Sequence, residues 1–332
     1  MISLATLYIT EQGAKLKKEE KRFVIEKEEN ILLEIPEFKV DKVFIFGNIQ
    51  ITTQALKFLL TSGIDTSFFT IYGKFIGKLQ SLESKNVLLR IKQFEKHSQE
   101  EFRVEISKKF VEGKITNAKN FLSKYQRNHP EVNFASNINE LERNLEELKR
   151  KTSISSIMGV EGRCSAIYFE CFGKMILKDL KFEERTPRNP KDPVNSLLSF
   201  GYSILTSEVF SILQGIGFDP YLGYLHSVEY GRPALALDLM EEFRQVIVDR
   251  LVLEIINKDI IKENEFVEDE EGKIRLNEKA IKEFLTQYER RILTEITYEE
   301  ETMNYRKLIQ HQIRKFEKTI MEGNEYIPFE MR

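Results

Sequence analysis

The hydrophobic period of this chain changes once, near Leu79, and the change limits what each part can fold into. From Met1 to about Leu79 the apolar residues come as short β-branched and aromatic runs, SLATLYIT, RFVIEK, ILLEIP, KVFIFG and DTSFFTIYG, separated by Gly, Pro, Asn, Asp or charged turns. Such runs make strands, because successive side chains leave a pleated backbone on opposite faces. One helix interrupts them: Thr52 or Thr53 can cap TTQALKFLLTSG, with Leu56, Phe58, Leu59 and Leu60 as its buried face and Gly63 as its stop. Beyond Leu79 the period becomes helical, and helices are predicted over 96–124, 137–151, 153–178, 192–216, 234–258 and 298–321. The chain therefore reads as α+β, with a small β-rich N-terminal domain over 1–79 and a larger, mainly α-helical domain over 80–332.

Two interruptions mark the helical part: the proline-rich linker TPRNPKDP, Thr186 to Pro193, and a charged, hairpin-like patch, FVEDEEGKIRLN, Phe266 to Asn277. MISLATLYIT alternates like a strand and lacks a basic leader, and no uninterrupted apolar run approaches the length of a bilayer span. The expectation is a cytoplasmic protein with no membrane partner. Cys164 and Cys171 lie seven apart in a predicted helix, about 10 Å along its axis, which is too far for a disulfide. Two reduced, buried thiols are expected rather than a zinc or redox site.

Net charge is −3, which argues against a uniformly basic nucleic-acid binder. The charge is unevenly placed, however: between Lys74 and Arg127 there are 13 Lys/Arg against 6 Asp/Glu. A local excess is what attracts a phosphate backbone, so DNA binding and a solvated helical face both fit this stretch.

Chemistry concentrates in Tyr224 to Arg244, YLHSVEYGRPALALDLMEEFR, where a histidine in a Gly/Pro-marked loop runs into a helix rich in carboxylates. Asp238, Glu241, Glu242, Gln245 and Asp249 fall on one stripe of that helix. An acidic stripe is commonly a wet face, but here the remaining surface is broadly apolar and His226 sits just before it. More than sixty residues earlier, Glu161 shares a helical side with Ile157, Met158, Cys164, Ser165 and Tyr168, opposite Arg163, Glu170 and Lys174, so it points inward. A buried carboxylate needs a cation, strong hydrogen bonds or a proton, and both an Arg/Lys pair and a metal role satisfy that demand. Asp192 and Pro193 make an N-cap and first-turn pair for a helix whose Asn195, Ser199, Tyr202 and Thr206 form a polar stripe, suited to a groove or to interhelical hydrogen bonds.

Together the inward glutamate, the segment PRNPKDPVNSLLSFGY and LHSVEYGRPALALDLMEEFR resemble the CRISPR adaptation integrase family, the universal CRISPR-associated endonuclease of spacer acquisition. The resemblance covers most of the chain, since VFIFGNIQITTQALKFLLTSGIDTSFFTIYGKFIGKL is similar to that family's N-terminal β domain and Ile274 through Gln312 to its C-terminal region. It implies homodimerisation through the β-rich domain, a small dimeric partner protein, and DNA as substrate, both as fragments bearing a 3'-hydroxyl and as CRISPR repeat DNA. It also implies a Mg²⁺ or Mn²⁺ ion held by Glu161, His226 and Glu241, with Asp238 as a supporting or alternative ligand and Glu242 merely solvated. Arg232, Asn195 and Tyr202 match positions near that site and are expected to contact phosphate or orient substrate. The implied reaction is 3'-hydroxyl transesterification; a stand-alone nuclease for branched DNA and a non-catalytic helical scaffold are the competing readings.

Overall fold

The computed structural model describes residues 5–81, 86–178, 180, 182–187 and 189–331. Met1–Leu4 of the first apolar run, Leu82–Lys85 of the basic stretch and Arg188 of the linker lie outside the described residues. The first part comprises β1 (Ala5–Ile9), β2 (Lys15–Glu19), β3 (Arg22–Lys27), β4 (Asn30–Pro36), β5 (Val40–Phe46), β6 (Gln50–Ile51), α1 (Thr53–Thr61), β7 (Asp65–Phe69) and β8 (Phe75–Leu79). Then come α2 (Val87–His97), α3 (Glu100–Asn128), α4 (Ala135–Lys149), α5 (Ile154–Lys174), α6 (Pro193–Ile216), α7 (Ala234–Met240) and α8 (Arg250–Asn257). The hairpin β9 (Phe266–Glu268) and β10 (Ile274–Leu276), α9 (Glu278–Ile292), the hairpin β11 (Glu295–Tyr298) and β12 (Glu301–Asn304), and α10 (Tyr305–Glu322) complete it. The fold is α+β, a strand-rich N-terminal domain followed by a mostly helical one.

The run Val43-Phe44-Ile45-Phe46 in β5 ties the two together, because it is buried on both faces. Val43 and Ile45 point into the strand-rich core with Leu7, Leu16, Phe23 and Leu59, whereas Phe44 and Phe46 join the core of the helical domain. Phe46 stacks on Phe69 at 4.7 Å and lies 6.2 Å from Phe200 of α6. One sheet has the order β1-β5-β7-β8, parallel through β7, and the other the order β4-β3-β2-β6. Thr52 caps α1 by accepting from the Ala55 N–H, and Gly63 ends it at a φ of +64°.

α6 is the axis of the helical domain. It starts at the predicted cap, Asp192, whose side chain accepts from the Asn195 N–H at 2.8 Å, and ends at Gly217 in the left-handed region. α6 is long and apolar enough to cross a membrane by length and composition, but Asn195, Ser199, Thr206 and Glu208 interrupt its apolar run, and 83% of its most apolar window is buried in the protein, as a core helix. Both cysteines are buried and free, and burial pushes their thiols up, to about 12 for Cys164 and about 11 for Cys171.

Several elements escape the periodicity reading. β2 is KLKKE, with only Leu16 buried, so its charges hide a strand paired on both sides. α2 and α9 were not among the predicted helices, and the helix predicted from residue 298 starts at Tyr305, after a hairpin that uses Tyr298 and Glu301 as partners. The single helix predicted over 234–258 is broken in winding: α7 tightens into a 3₁₀ turn at Glu241–Phe243, loosens into a π turn at Arg244–Asp249, and continues as α8.

Electrostatics lock the domains across the β5–α6 contact. Glu208 of α6 is fully buried and pairs with Lys42 of β5 and, at 2.8 Å, with Arg306 of α10. Arg306 also holds Glu289 at 2.9 Å, and Glu289 accepts from the Tyr8 hydroxyl at 2.7 Å. Burial alone would raise the Glu208 carboxyl, but Lys42 and Arg306 overcome it and hold it down at about 2. A carboxyl held below its ordinary 4.5 contributes stability that is complete above that pH and is lost as pH falls toward 2. Glu208→Gln is therefore expected to unfold at lower temperature at neutral pH, by the roughly 3–5 kcal/mol typical of breaking a buried pair. Its stability should also fall less steeply than wild type between pH 4.5 and 2, as read by thermal melts across that range.

Candidate active site

Asp238 organises the histidine loop. Gly223 lets the chain pass over it, since a Cβ there would lie 2.6 Å from the Ala234 side chain and 2.9 Å from Asp238 Oδ2. Oδ2 accepts from the N–H groups of Tyr224 and Leu225 at 2.6 and 3.1 Å, and Oδ1 from the His226 N–H at 3.0 Å. His226 Nδ1 stands 2.7 Å from the same Oδ1. A carboxylate facing Nδ1 makes that nitrogen the proton carrier, which leaves Nε2 with its lone pair. Nε2 is 4.0 Å from Glu241 Oε1. Asp238 thus spends both oxygens on orienting His226 and its loop.

Glu241 and Glu161 meet on an ammonium. Lys114 of α3 is buried, contacts Glu161 Oε1, and lies 2.8 Å from Glu241 Oε2. Ser165, one turn along α5, donates to the same Glu161 oxygen at 2.9 Å. Arg244 donates to both oxygens of Glu241, at 2.8 and 3.1 Å. Burial pushes the Glu241 carboxyl up, yet Arg244 and Lys114 draw it down to about 2. It is an anion at any physiological pH. The Arg244 guanidinium also lies over the Tyr202 ring at 4.2 Å, as Arg185 does at 5.4 Å, and the Tyr202 hydroxyl donates to Asp249. Burial raises the Asp249 carboxyl to about 6. Beside this cluster opens a cavity of about 510 Å³ whose walls include Lys114, Glu161, Arg185, Tyr202 and Arg244.

Glu161 and Glu241 therefore meet on Lys114 and His226 stands 4.0 Å from Glu241, while the lesser expectations fare unevenly. Tyr202 lines the cavity. Asn195 instead anchors the linker, accepting from Arg185 at 2.7 Å and from the Thr186 N–H at 2.8 Å, and donating to the Glu184 carbonyl. Arg232 stays in its loop, bonded to Ser227 and Glu229 at 3.0 Å. Met158, placed on the inward side with Glu161, is exposed. The acidic stripe is no wet face: Asp238, Glu241, Glu242, Gln245 and Asp249 are all buried. Glu242 in particular is not solvated, since it accepts from Tyr326, the Phe329 N–H and Gln312.

Sequence reasoning missed Lys114, Arg244 and Arg185. Lys114 carried a signal: it falls in register with Ser107, Phe110, Val111, Ala118 and Phe121, all buried on α3. Other cations of the basic stretch are paired locally, as in Lys92–Glu95, Lys108–Glu105 and Lys119–Glu142, so the excess there is partly neutralised.

Fold and site define the class: a two-domain α+β protein with a buried carboxylate–imidazole centre flanked by cations, a set suited to phosphodiester chemistry. Residues 7–290 match the family described as CRISPR associated protein Cas1, and the chain belongs to that family. A CRISPR-associated endonuclease Cas1 of Thermus thermophilus is 34% identical over 99% of this chain and 98% of its own length. One from Chlorobaculum tepidum is 34% identical over 89% and 88%. A solved Cas1 protein from Thermotoga maritima superimposes with a TM-score of 0.82 at 28% identity, covering 99% of this chain and 100% of that one. A casposase bound to integration product shares the fold with a TM-score of 0.87 at 24% identity, over 98% and 92%. The chain is accordingly a CRISPR-associated nuclease of the Cas1 type.

Replacing Asp238 by Asn keeps the shape but turns one of its two accepting oxygens into an NH2 that can only donate, facing backbone N–H groups. Asp238→Asn is expected to destabilise the chain by the roughly 1–3 kcal/mol that an unsatisfied buried group costs, and so to lower its melting temperature, as read by thermal melts at neutral pH.

Proposed function

We propose that this protein is a divalent-metal-dependent DNA endonuclease and integrase of CRISPR adaptation, which inserts short DNA fragments into a CRISPR array by attack of their 3'-hydroxyls. The observation that carries the reading is the convergence of Glu161 and Glu241 on Lys114 with His226 Nε2 turned toward Glu241, in a member of the Cas1 family. Among the described residues no three His, Cys, Asp or Glu side chains stand together as a ready ligand group; the Lys114 ammonium is what lies between the two glutamates. The donors nonetheless fit a hard dication. They are carboxylate oxygens and one imidazole, a cation already bridges the glutamates, and Nε2 is 4.0 Å from Glu241, within the roughly 3–4 Å that separates two ligands of one small ion.

Glu161, His226 and Glu241 would hold Mg²⁺ or Mn²⁺. When bound, the ion supplies Lewis-acid polarisation of the phosphodiester and stabilises charge on the attacking and leaving oxygens. The chain does the rest. Asp238 keeps the proton on Nδ1 and so keeps Nε2 available, Arg244 holds Glu241 in one orientation, and Arg185, Arg244 and Lys114 place cations on the cavity wall for phosphate oxygens, beside Glu161, Glu170, Glu183 and Glu184. Exchange of one phosphodiester for another conserves bond energy, so the reaction needs no ATP and no covalent enzyme intermediate.

On this reading the protein works in the cytoplasm as a homodimer, with a small dimeric partner protein. Ile31, Leu32 and Leu33 on the exposed edge strand β4 supply apolar surface for the dimer. The same fold occurs in a Cas6-RT-Cas1–Cas2 complex, with a TM-score of 0.85 at 24% identity, where this chain covers 37% of the larger polypeptide. A second reading, hydrolysis of branched DNA by the same residues with water as nucleophile, is favoured by the relatives' designation as endonucleases.

Purified protein, the small partner, short DNA with free 3'-hydroxyls and a repeat-bearing plasmid should yield strand-transfer products in Mn²⁺ or Mg²⁺. Glu161→Ala and His226→Ala should each abolish them, and unimpaired transfer by either would sink the site. Blocking the 3'-hydroxyl should end integration, and cleavage of branched DNA that survives the block would identify the stand-alone nuclease.

A further inference from the structure

Glu242, the neighbour of Glu241, faces away from Lys114 and is satisfied by neutral donors. The Tyr326 hydroxyl and the Phe329 N–H both donate to its carboxylate, as does Gln312 Nε2 at 3.1 Å. Tyr326 and Phe329 belong to the segment after α10, Asn324–Met331, which has no regular secondary structure yet buries Tyr326, Phe329 and Met331. Gln312 grips the same segment by donating to the Ile327 carbonyl at 3.2 Å.

α3 holds it from the other side, with Asn117 donating to the carbonyls of Phe329 and Glu242, each at 2.8 Å, and accepting from the Met331 N–H at 2.6 Å. Asn120 donates to the Met331 carbonyl at 2.7 Å. The Phe329 ring lies parallel to Phe243 at 5.7 Å. Gly113, directly before Lys114, leaves no room: a Cβ there would stand 2.7 Å from Pro328 Cβ and 3.2 Å from Glu242 Cβ.

The turn Glu241–Phe243 thus has two sides, one carrying Glu241 to Lys114 and the other fastened at the Glu242 carboxylate, the Glu242 carbonyl and the Phe243 ring. We infer that Asn324–Met331 is a strap that positions Glu241 for metal binding, with Tyr326, Asn117 and Gly113 as positioning residues that touch no reacting group. A 3₁₀ turn followed by a π turn has weak intrinsic order, so its direction must be set by what it is packed against. The strap is the element packed behind it. The inference rests on Glu241 being a ligand.

Tyr326→Phe removes one hydroxyl and keeps the ring, and Gly113→Ala adds a methyl that by helix propensity alone would stabilise α3. Both, with Glu241→Ala, are to be made in the full chain and compared for Mn²⁺ binding in the absence of DNA, for circular dichroism and for DNA cleavage. Both variants should stay folded, bind Mn²⁺ about 10-fold more weakly, and lose kcat with KM for DNA unchanged; excess Mn²⁺ should restore the rate of Tyr326→Phe. A chain ending at Gly323 should show the same loss and regain Mn²⁺ binding when a peptide of residues 324–332 is added. Wild-type Mn²⁺ affinity and kcat in both strap variants, alongside weak binding by Glu241→Ala, overturns the strap alone. Wild-type binding by Glu241→Ala overturns the ligand assignment and the strap with it.

Discussion

A carboxylate taken out of water must be answered by a cation, by hydrogen-bond donors or by a proton. This helical domain buries Glu208, Asp238, Glu241, Glu242 and Asp249, and most of its organisation follows from how each is answered. Glu208 and Glu241 meet cations and are held at about 2 despite their burial. Glu242 and Asp249 meet mainly hydroxyl and amide donors, and burial carries them up to about 7 and about 6. Asp238 is answered by three backbone N–H groups and an imidazole. Glu208, Glu241, Glu242 and Asp249 join elements distant in sequence, whereas Asp238 fixes one local piece of chain.

Adjacent residues in a regular helix point about 100° apart, too little to serve two buried centres on opposite sides of an element. Over-winding at Glu241–Phe243 and under-winding at Arg244–Asp249 change that spacing. Glu241 reaches Lys114 while Glu242 reaches Tyr326, and three residues later Arg244 still returns to Glu241. Irregular winding at such a point is expected when side chains in a dense core have incompatible demands.

Strands and helices with clean periodicity, and the cap at Asp192, were legible because local pattern alone determines them. Glu161, His226 and Glu241 were legible as a set only through resemblance, since residue types cannot show that α5, the loop after α6 and the turn after α7 converge. What stayed hidden has a common cause. Lys114 looked like one more solvated lysine, Glu242 like one more wet glutamate, and KLKKE like a charged loop, because charge outvotes position when each residue is read alone. The partners that overrule it lie at a distance: Lys114 is 47 positions from Glu161, and Glu242 is 84 from Tyr326.

The charge balance at the centre bears directly on how an ion and DNA would share it. Lys114 and Arg244 stand against Glu161 and Glu241, two cations against two carboxylates, with His226 contributing an imidazole whose lone pair faces inward. With the Asp238 carboxylate behind the imidazole the cluster carries one net negative charge, so a dication entering it would either displace the ammonium from between the glutamates or leave one net positive charge. The added charge would lie beside a cavity whose wall sets Lys114, Arg185 and Arg244 against Glu161, Glu170, Glu183 and Glu184, and there it would tip the balance toward phosphodiester anions. The physical root is again buried pairing: because Lys114 and Arg244 already neutralise the two glutamates, most of the charge of an incoming ion would be left for the substrate to answer.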